Sequence, residues 1–338
     1  MCGTVGMFVG CTALSYCPRR LLAAPAQDDA GEYRSPFTTW YERSAVRSSP
    51  RRKIDDRTEE PRHFFPPELV PVTRHPLIAS LPAKVFDEVL VQHLYRYLDF
   101  TTKLEHLVVN RTVLGIAHGS IGVEVPEEMR LDAYKMYCDE AYHALFSADL
   151  ATQVHQATGT AARLPGRPFF LLRLQEIKTE LPAHHRALAE LLFVIISETL
   201  ISASLAEVPG HDGVDSAVTG TIRDHALDEG RHHAYFAHFL QRLWAQLDPT
   251  ERRAAALLAP RLMDAFLRPD TEALREELTG YGLTREEADQ VVAEVYTPEV
   301  LSTHALATSR QTRRYFRDLD AFDTPEVQDE LNKYGLAD

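Results

Sequence analysis

Two pentapeptides in this chain pair a carboxylate with an imidazole at a spacing that suits metal binding. They are Asp139-Glu140-Ala141-Tyr142-His143 and Asp228-Glu229-Gly230-Arg231-His232, both of the form DExxH. On an α-helix, at about 100° per residue, a Glu and a His three apart project to the same side. Each motif therefore offers one carboxylate and one imidazole to a single point. One such pair has an ordinary explanation as a solvated helix surface. Two of them match the di-metal carboxylate bundles, in which two helices each supply Glu-x-x-His and the other two supply one Glu each.

That template makes a demand on the rest of the sequence. Helices joined by a short loop run antiparallel, so residues stand level when their numbers sum to about twice the loop centre. A loop centred near residue 122 sets Glu140 opposite about residue 104, where Glu105 stands; Asp99 and Glu88 are more than one turn away. A loop centred near 212 sets Glu229 opposite about 195–197, one residue short of Glu198. Glu198 lies inside LLFVIISETLISASL, where a lone carboxylate is costly to bury without a cation, a metal or an arginine, to meet it. Glu190 and Glu207 lie nearer the helix ends and read as solvated. His225 precedes Glu229 by four residues and His232 by seven, which places all three on one stripe about 60° wide. On spacing alone His225 is equally a ligand or a surface histidine, whereas His233, His106 and Cys138 fall off the stripes. Four carboxylates with two or three imidazoles suit iron or manganese better than zinc, which prefers fewer ligands, and four negative charges balance two divalent ions. Asp139 and Asp228 are candidates to accept the distal N–H of the metal-bound histidines, or are simply exposed helix charge.

The elements that must position these residues are helical. Long amphipathic stretches separated by Pro and Gly predict helices over about 83–118, 127–158, 183–208 and 217–247, the second beginning just after Pro126. A crossover through 163–182 joins the two hairpins, and this connectivity predicts an all-α, ferritin-like four-helix bundle with the core at about 83–247. Shorter helices are expected over about 251–267, 270–280, 285–296 and 298–315, the last capped by Thr297, while 320–338 is ambiguous. Residues 1–60 are expected to be a mobile N-terminal arm, because 23–60 is polar and broken, and 61–338 a single helical domain. The uncharged run 1–18 has its arginines, Arg19 and Arg20, on the wrong side for a secretory signal.

Composition narrows the partners. With 49 acidic and 36 basic residues the formal charge is −13, so nucleic acid and anionic membrane surfaces are poor partners. No run is long and apolar enough to span a bilayer, and four cysteines without a CxxC pair suggest a reducing, cytoplasmic setting.

At these residues the sequence resembles the diiron arylamine N-oxygenases, the family of the p-aminobenzoate N-oxygenase. The matching pieces are Glu105, DEAYH at 139–143, Glu198 in SETLISASL, and HALDEGRH at 225–232, within a correspondence that runs from ELVPVTRHPL to the end of the fourth long helix. The resemblance implies a seven-residue metal set of Glu105, Glu140, His143, Glu198, His225, Glu229 and His232. His225 is the specific member, because common ferritin-like sites have two histidines. It further implies two non-haem iron ions, O₂ as co-substrate and an aryl amine oxidised through hydroxylamine and nitroso stages to a nitro group, nearest to the arylamine oxygenases of chloramphenicol biosynthesis. The cluster itself is then the catalytic group, with no separate acid or base assigned. A homodimer is implied, and an external reductase or reductant is needed because no Rossmann glycine motif or iron–sulfur cysteine spacing is present. The alternatives are an iron-storing ferroxidase, whose bundle carries far fewer additional helices, and a diiron carbon hydroxylase or desaturase, which normally lacks the third histidine.

Overall fold

The structure is a computed structural model and describes residues 32–54, 62–205, 208–211 and 213–337. Among these residues the fold is all-α, with one isolated bridge, His63 to Val214, as its only β pairing. Four long helices make the ferritin-like core. The first, α4 (Ala83–Leu104), passes through a π-helical turn, Glu105–Val109, into α5 (Asn110–Ala117). Its partner α6 (Glu127–Thr158) starts after Pro126 and stops at Gly159, whose φ of 69° suits a residue without a side chain. The second hairpin pairs α8 (Ala183–Leu205) with α9 (Ser216–Gln246), and Asp215 caps α9 by accepting from the Ala217 amide at 2.8 Å. α4 and α5 pack on α6, α8 packs on α9, and α6 meets α9 across the bundle. The crossover carries a helix of its own, α7 (Phe169–Glu180).

The hydrophobic pattern predicts an unbroken first helix, and the helix is continuous but not uniform. A π turn admits one extra residue per turn and leaves no Pro or Gly signature, so hydrophobic spacing cannot report it. It begins at Glu105, the candidate ligand.

α8 is apolar on all sides, with Leu191 to Ile201 buried throughout. A helix of that kind must be covered on every face. α9 covers one side, and α10 (Pro249–Leu267) and α13 (Pro298–Arg317) cover others. α11 (Thr271–Gly280) and α12 (Arg285–Val295) pair with each other. Thr297 caps α13 through the Val300 amide, and the ambiguous C-terminal stretch contains α14 (Pro325–Lys333). No described helix is long and apolar enough to cross a membrane.

The expectation of a mobile arm over 1–60 is corrected for part of its length; 1–31 and 55–61 lie outside the described residues. Residues 32–54 form two single-turn helices, α1 (Trp40–Arg43) and α2 (Ala45–Ser48), laid across α6 and α9. Phe37, 1% exposed, and Trp40, 7% exposed, anchor them. The Tyr33 hydroxyl donates to Asp132 at 2.8 Å, and Arg52 makes a two-point pair with Asp224 at 2.8 and 2.9 Å. The polar, proline-punctuated composition conceals this docking because a few large anchors carry it.

Truncation of Phe37 to Ala is expected to destabilise the protein by about 3–5 kcal/mol, since it removes a fully buried ring. Urea unfolding of Phe37→Ala checks this; a midpoint equal to that of the parent would mean that residues 32–54 are not docked.

Candidate metal centre

The side chains that spacing singles out meet at mid-bundle. Glu105 comes from the π turn, Glu140 and His143 from α6, Glu198 from α8, and His225, Glu229 and His232 from α9; each is at most 1% exposed. One ligating atom from each of Glu105, His143, His225 and Glu229 lies within 4.8 Å of the others, and so for Glu140, His143, Glu229 and His232. His225 Nε2 is 3.0 Å from Glu105 Oε1 and 3.1 Å from Glu229 Oε1. His232 Nδ1 is 3.0 Å from Glu140 Oε1 and 3.1 Å from Glu229 Oε1, and Glu198 Oε2 stands 3.9 Å from it. His143 Nδ1 is 3.3 Å from Glu140 Oε2. The two overlapping groups share His143 and Glu229, an arrangement that could hold two adjacent cations.

The residues off the stripes lie elsewhere. His106 and Cys138 are exposed, Asp99 pairs with Lys103 at 2.8 Å, and His233 meets the Tyr315 hydroxyl at 2.8 Å. Glu190 is exposed and pairs with Lys178, whereas Glu207 lies outside the described residues.

Asp139 and Asp228 are completely buried rather than exposed, and they serve the opposite motifs. Asp228 Oδ2 is 3.0 Å from His143 Nε2, and Asp139 Oδ2 is 3.3 Å from His232 Nε2. With Nε2–H committed outward to an aspartate, each imidazole keeps Nδ1 facing the carboxylates, the nitrogen that a metal would take in place of a proton. The same aspartates bind the N-terminal segment. Trp40 Nε1 donates to both oxygens of Asp139 at 2.9 and 2.8 Å, and the Ala45 amide donates to both oxygens of Asp228 at 3.2 and 3.1 Å. Arg231 also donates to Asp228, and the Phe37 ring stacks on His232 at 5.9 Å between centroids. The contacts to residues 37–45 have no sequence signal, because they join residues about a hundred or more positions apart.

The electrostatics of the site suit cations. Burial raises Glu198 well above the usual carboxylate range, and neighbouring Glu140 and Glu229 add to the rise. Burial also raises Glu105, to about 7, against the pull of His225. Burial acts on Glu140 and Glu229 too, yet the facing imidazoles, His232 foremost, hold both low. Burial alone would depress His143 and His232, but the carboxylates around them raise both well above 6.5. Both oxygens of Glu105 and one each of Glu140, Glu198 and Glu229 make no aligned hydrogen bond. Orphaned buried oxygens are rare in proteins, and here they converge with imidazole nitrogens, so the donor set fits two divalent ions of the iron or manganese kind.

A cavity of about 310 Å³ lies along the Glu105 face of α4, lined by Tyr97, Phe100, Thr101, Ile201, Phe266 and His304 among others. None of the seven converging residues lines it, but Thr101 and Tyr97 precede Glu105 by one and two turns and Ile201 follows Glu198 by one, so it continues the same helix faces. The Tyr97 hydroxyl and Thr101 Oγ1 are buried with no partner other than each other. Burial and the nearby Glu105 carboxylate keep the Tyr97 hydroxyl protonated and thus a donor. A second cavity, about 220 Å³, lies between residues 50–52 and α6 and α9, and the Phe146 ring, 5.2 Å from that of His143, walls it off. Its two cations, Arg51 and Arg52, are already paired with Asp149 and Asp224.

Comparison with known proteins agrees with this geometry. Residues 36–320 match the family model described as p-aminobenzoate N-oxygenase AurF. The chain is also similar to the 4-aminobenzoate N-oxygenase of Streptomyces thioluteus, with 23% identity over 234 residues, 68% of this chain and 69% of the relative.

The raised carboxyl of Glu105 predicts a pH effect on the metal-free protein. A carboxyl with its folded pKa above its unfolded value contributes stability fully below the unfolded value and loses it as pH rises to the folded one. Between about pH 4.5 and 7 Glu105 should therefore withdraw roughly 3 kcal/mol. Unfolding with chelator present should show Glu105→Gln gaining on the parent across that window. With excess Mn²⁺ the order should reverse, since metal binding requires deprotonated ligands. A difference between the two proteins that does not change with pH would contradict the assignment.

Proposed function

The chain belongs to the p-aminobenzoate N-oxygenase AurF family, and from that premise we propose that it is a diiron N-oxygenase that uses O₂ to oxidise an aryl amine. The observation that carries this reading is the third imidazole, His225, facing Glu105 and Glu229 inside the seven-residue cluster. In this reading Glu105, Glu140, His143, Glu198, His225, Glu229 and His232 would together hold the two irons. The bound irons supply O₂ activation and the oxidation of nitrogen. His225 adds a neutral donor without adding charge, which alters donor strength at the Glu105 side.

The chain's other residues act on geometry and water. Asp139 and Asp228 hold the distal N–H of His232 and His143, so both rings stay oriented and present Nδ1 inward. The cavity beside Glu105 suits an aromatic ring, with Phe100, Phe266 and His304 as walls and the Tyr97 and Thr101 hydroxyls to orient polar substituents. Apolar α8 excludes water from the Glu198 side. The finer reading, supported by the resemblance at 139–143 and 225–232, is full oxidation of the amine through hydroxylamine and nitroso to a nitro group, as the last step of chloramphenicol biosynthesis. Electrons come from an external reductant, and the enzyme works as a cytoplasmic homodimer.

The test is single-turnover reaction of the iron-loaded, reduced protein with O₂ and aryl amines, 4-aminobenzoate and bulkier analogues, followed by mass spectrometry. Oxygen incorporation at nitrogen is expected, with about two irons per chain. Iron at that ratio but no N-oxygenated product from any amine would overturn the reading. His225→Ala should lower the yield at least about tenfold and alter the visible spectrum of the oxidised cluster. An unchanged spectrum would remove His225 from the ligand set.

A further inference from the structure

The two aspartates behind the imidazoles share a pattern. Each receives one N–H from an imidazole of the opposite motif and one N–H, split between both its oxygens, from residues 40–45. The recurrence on both halves of a pseudo-symmetric site is unlike a chance surface contact. A second feature separates the two donors. The Ala45 donor is a backbone amide, and Arg231 also supports Asp228, whereas Asp139 has the Trp40 indole as its one donor from outside the cluster among the described residues.

The chemistry of an indole suits this position. Its N–H only donates and does not ionise near neutral pH, so it fixes a carboxylate without competing for the metal or for the imidazole lone pair. A buried carboxylate with an imidazole N–H as its only donor is free to turn, and turning loosens the imidazole it orients. We propose that Trp40 is a positioning residue for the metal centre, acting through Asp139 to set the orientation and donor strength of His232. Residues 32–54 are then part of the site, although no ligand comes from them. This inference rests on the metal reading above.

The chain has two tryptophans, Trp40 and Trp244, so its indole N–H spectrum contains two side-chain signals. In the full-length protein labelled with ¹⁵N-tryptophan, titration with Zn²⁺ should move the Trp40 signal and leave that of Trp244 in place; Trp244→Phe makes the assignment. In parallel, Zn²⁺ affinity is measured by competition with a chromophoric chelator. Trp40→Phe keeps an aromatic ring and removes the donor, and it should bind one of two Zn²⁺ about tenfold more weakly. In an Asp139→Asn background the same change should have little further effect, because the path runs through that carboxylate. Absence of both Zn²⁺ and Fe²⁺ binding to the parent protein would refute the metal reading itself, and if iron alone binds the same comparison is made with Fe²⁺. Tight binding to the parent with an immobile Trp40 signal, with unchanged affinity in Trp40→Phe, or with equal losses in both backgrounds would overturn the role of Trp40. Should Trp40→Phe fail to fold, the indole titration of the parent decides alone.

Discussion

Four carboxylates buried within one bundle repel one another and have lost their hydration, and three imidazoles cannot neutralise them without holding protons of their own. Everything else in the structure follows from that constraint. The cluster needs cations, the imidazoles need a fixed tautomer to accept those cations, and the tautomer needs acceptors behind the rings that are themselves anchored. The chain meets each demand with a further ring of contacts, from Glu229 to His232, to Asp139, to Trp40. The helices supply position, but the stability of the arrangement depends on the charge they enclose.

This dependence explains the division of labour among the helices. α6 and α9 carry the motifs and polar outer contacts, so they have mixed composition and one face open to the N-terminal segment. α8 carries a single carboxylate along its buried stretch, and the flanking Ser197 and Thr199 hydroxyls donate to backbone carbonyls of α8, not to Glu198. The π turn widens the backbone where the first long helix contributes Glu105 to the cluster, just beyond the stretch of α4 that lines the aromatic cavity.

The bundle and most of the converging side chains are legible in the sequence because both depend on helical periodicity and on the level pairing of antiparallel neighbours, which are arithmetic properties of residue number. Glu105 follows from that arithmetic, Glu198 from it together with its apolar surroundings, and His225 only from the family resemblance. Three features escape it. The π turn changes register without a breaker residue. The docking of 32–54 relies on Phe37 and Trp40, two large anchors in an otherwise polar stretch whose average composition looks unstructured. The cavity is assembled from side chains of α4, α8, α10 and α13, so its lining has no signature in any one segment.

The contacts of residues 32–54 also place the site in time. Trp40 meets a carboxylate 99 positions later, and Ala45 meets one 183 positions later. The segment leaves the ribosome before α6 and long before α9, so its partners do not exist until most of the bundle has been made. Such distant closures form late. The segment can therefore dock only on helices that already exist, and the two aspartates behind the imidazoles gain their N-terminal donors only when stretches far apart in the chain have met.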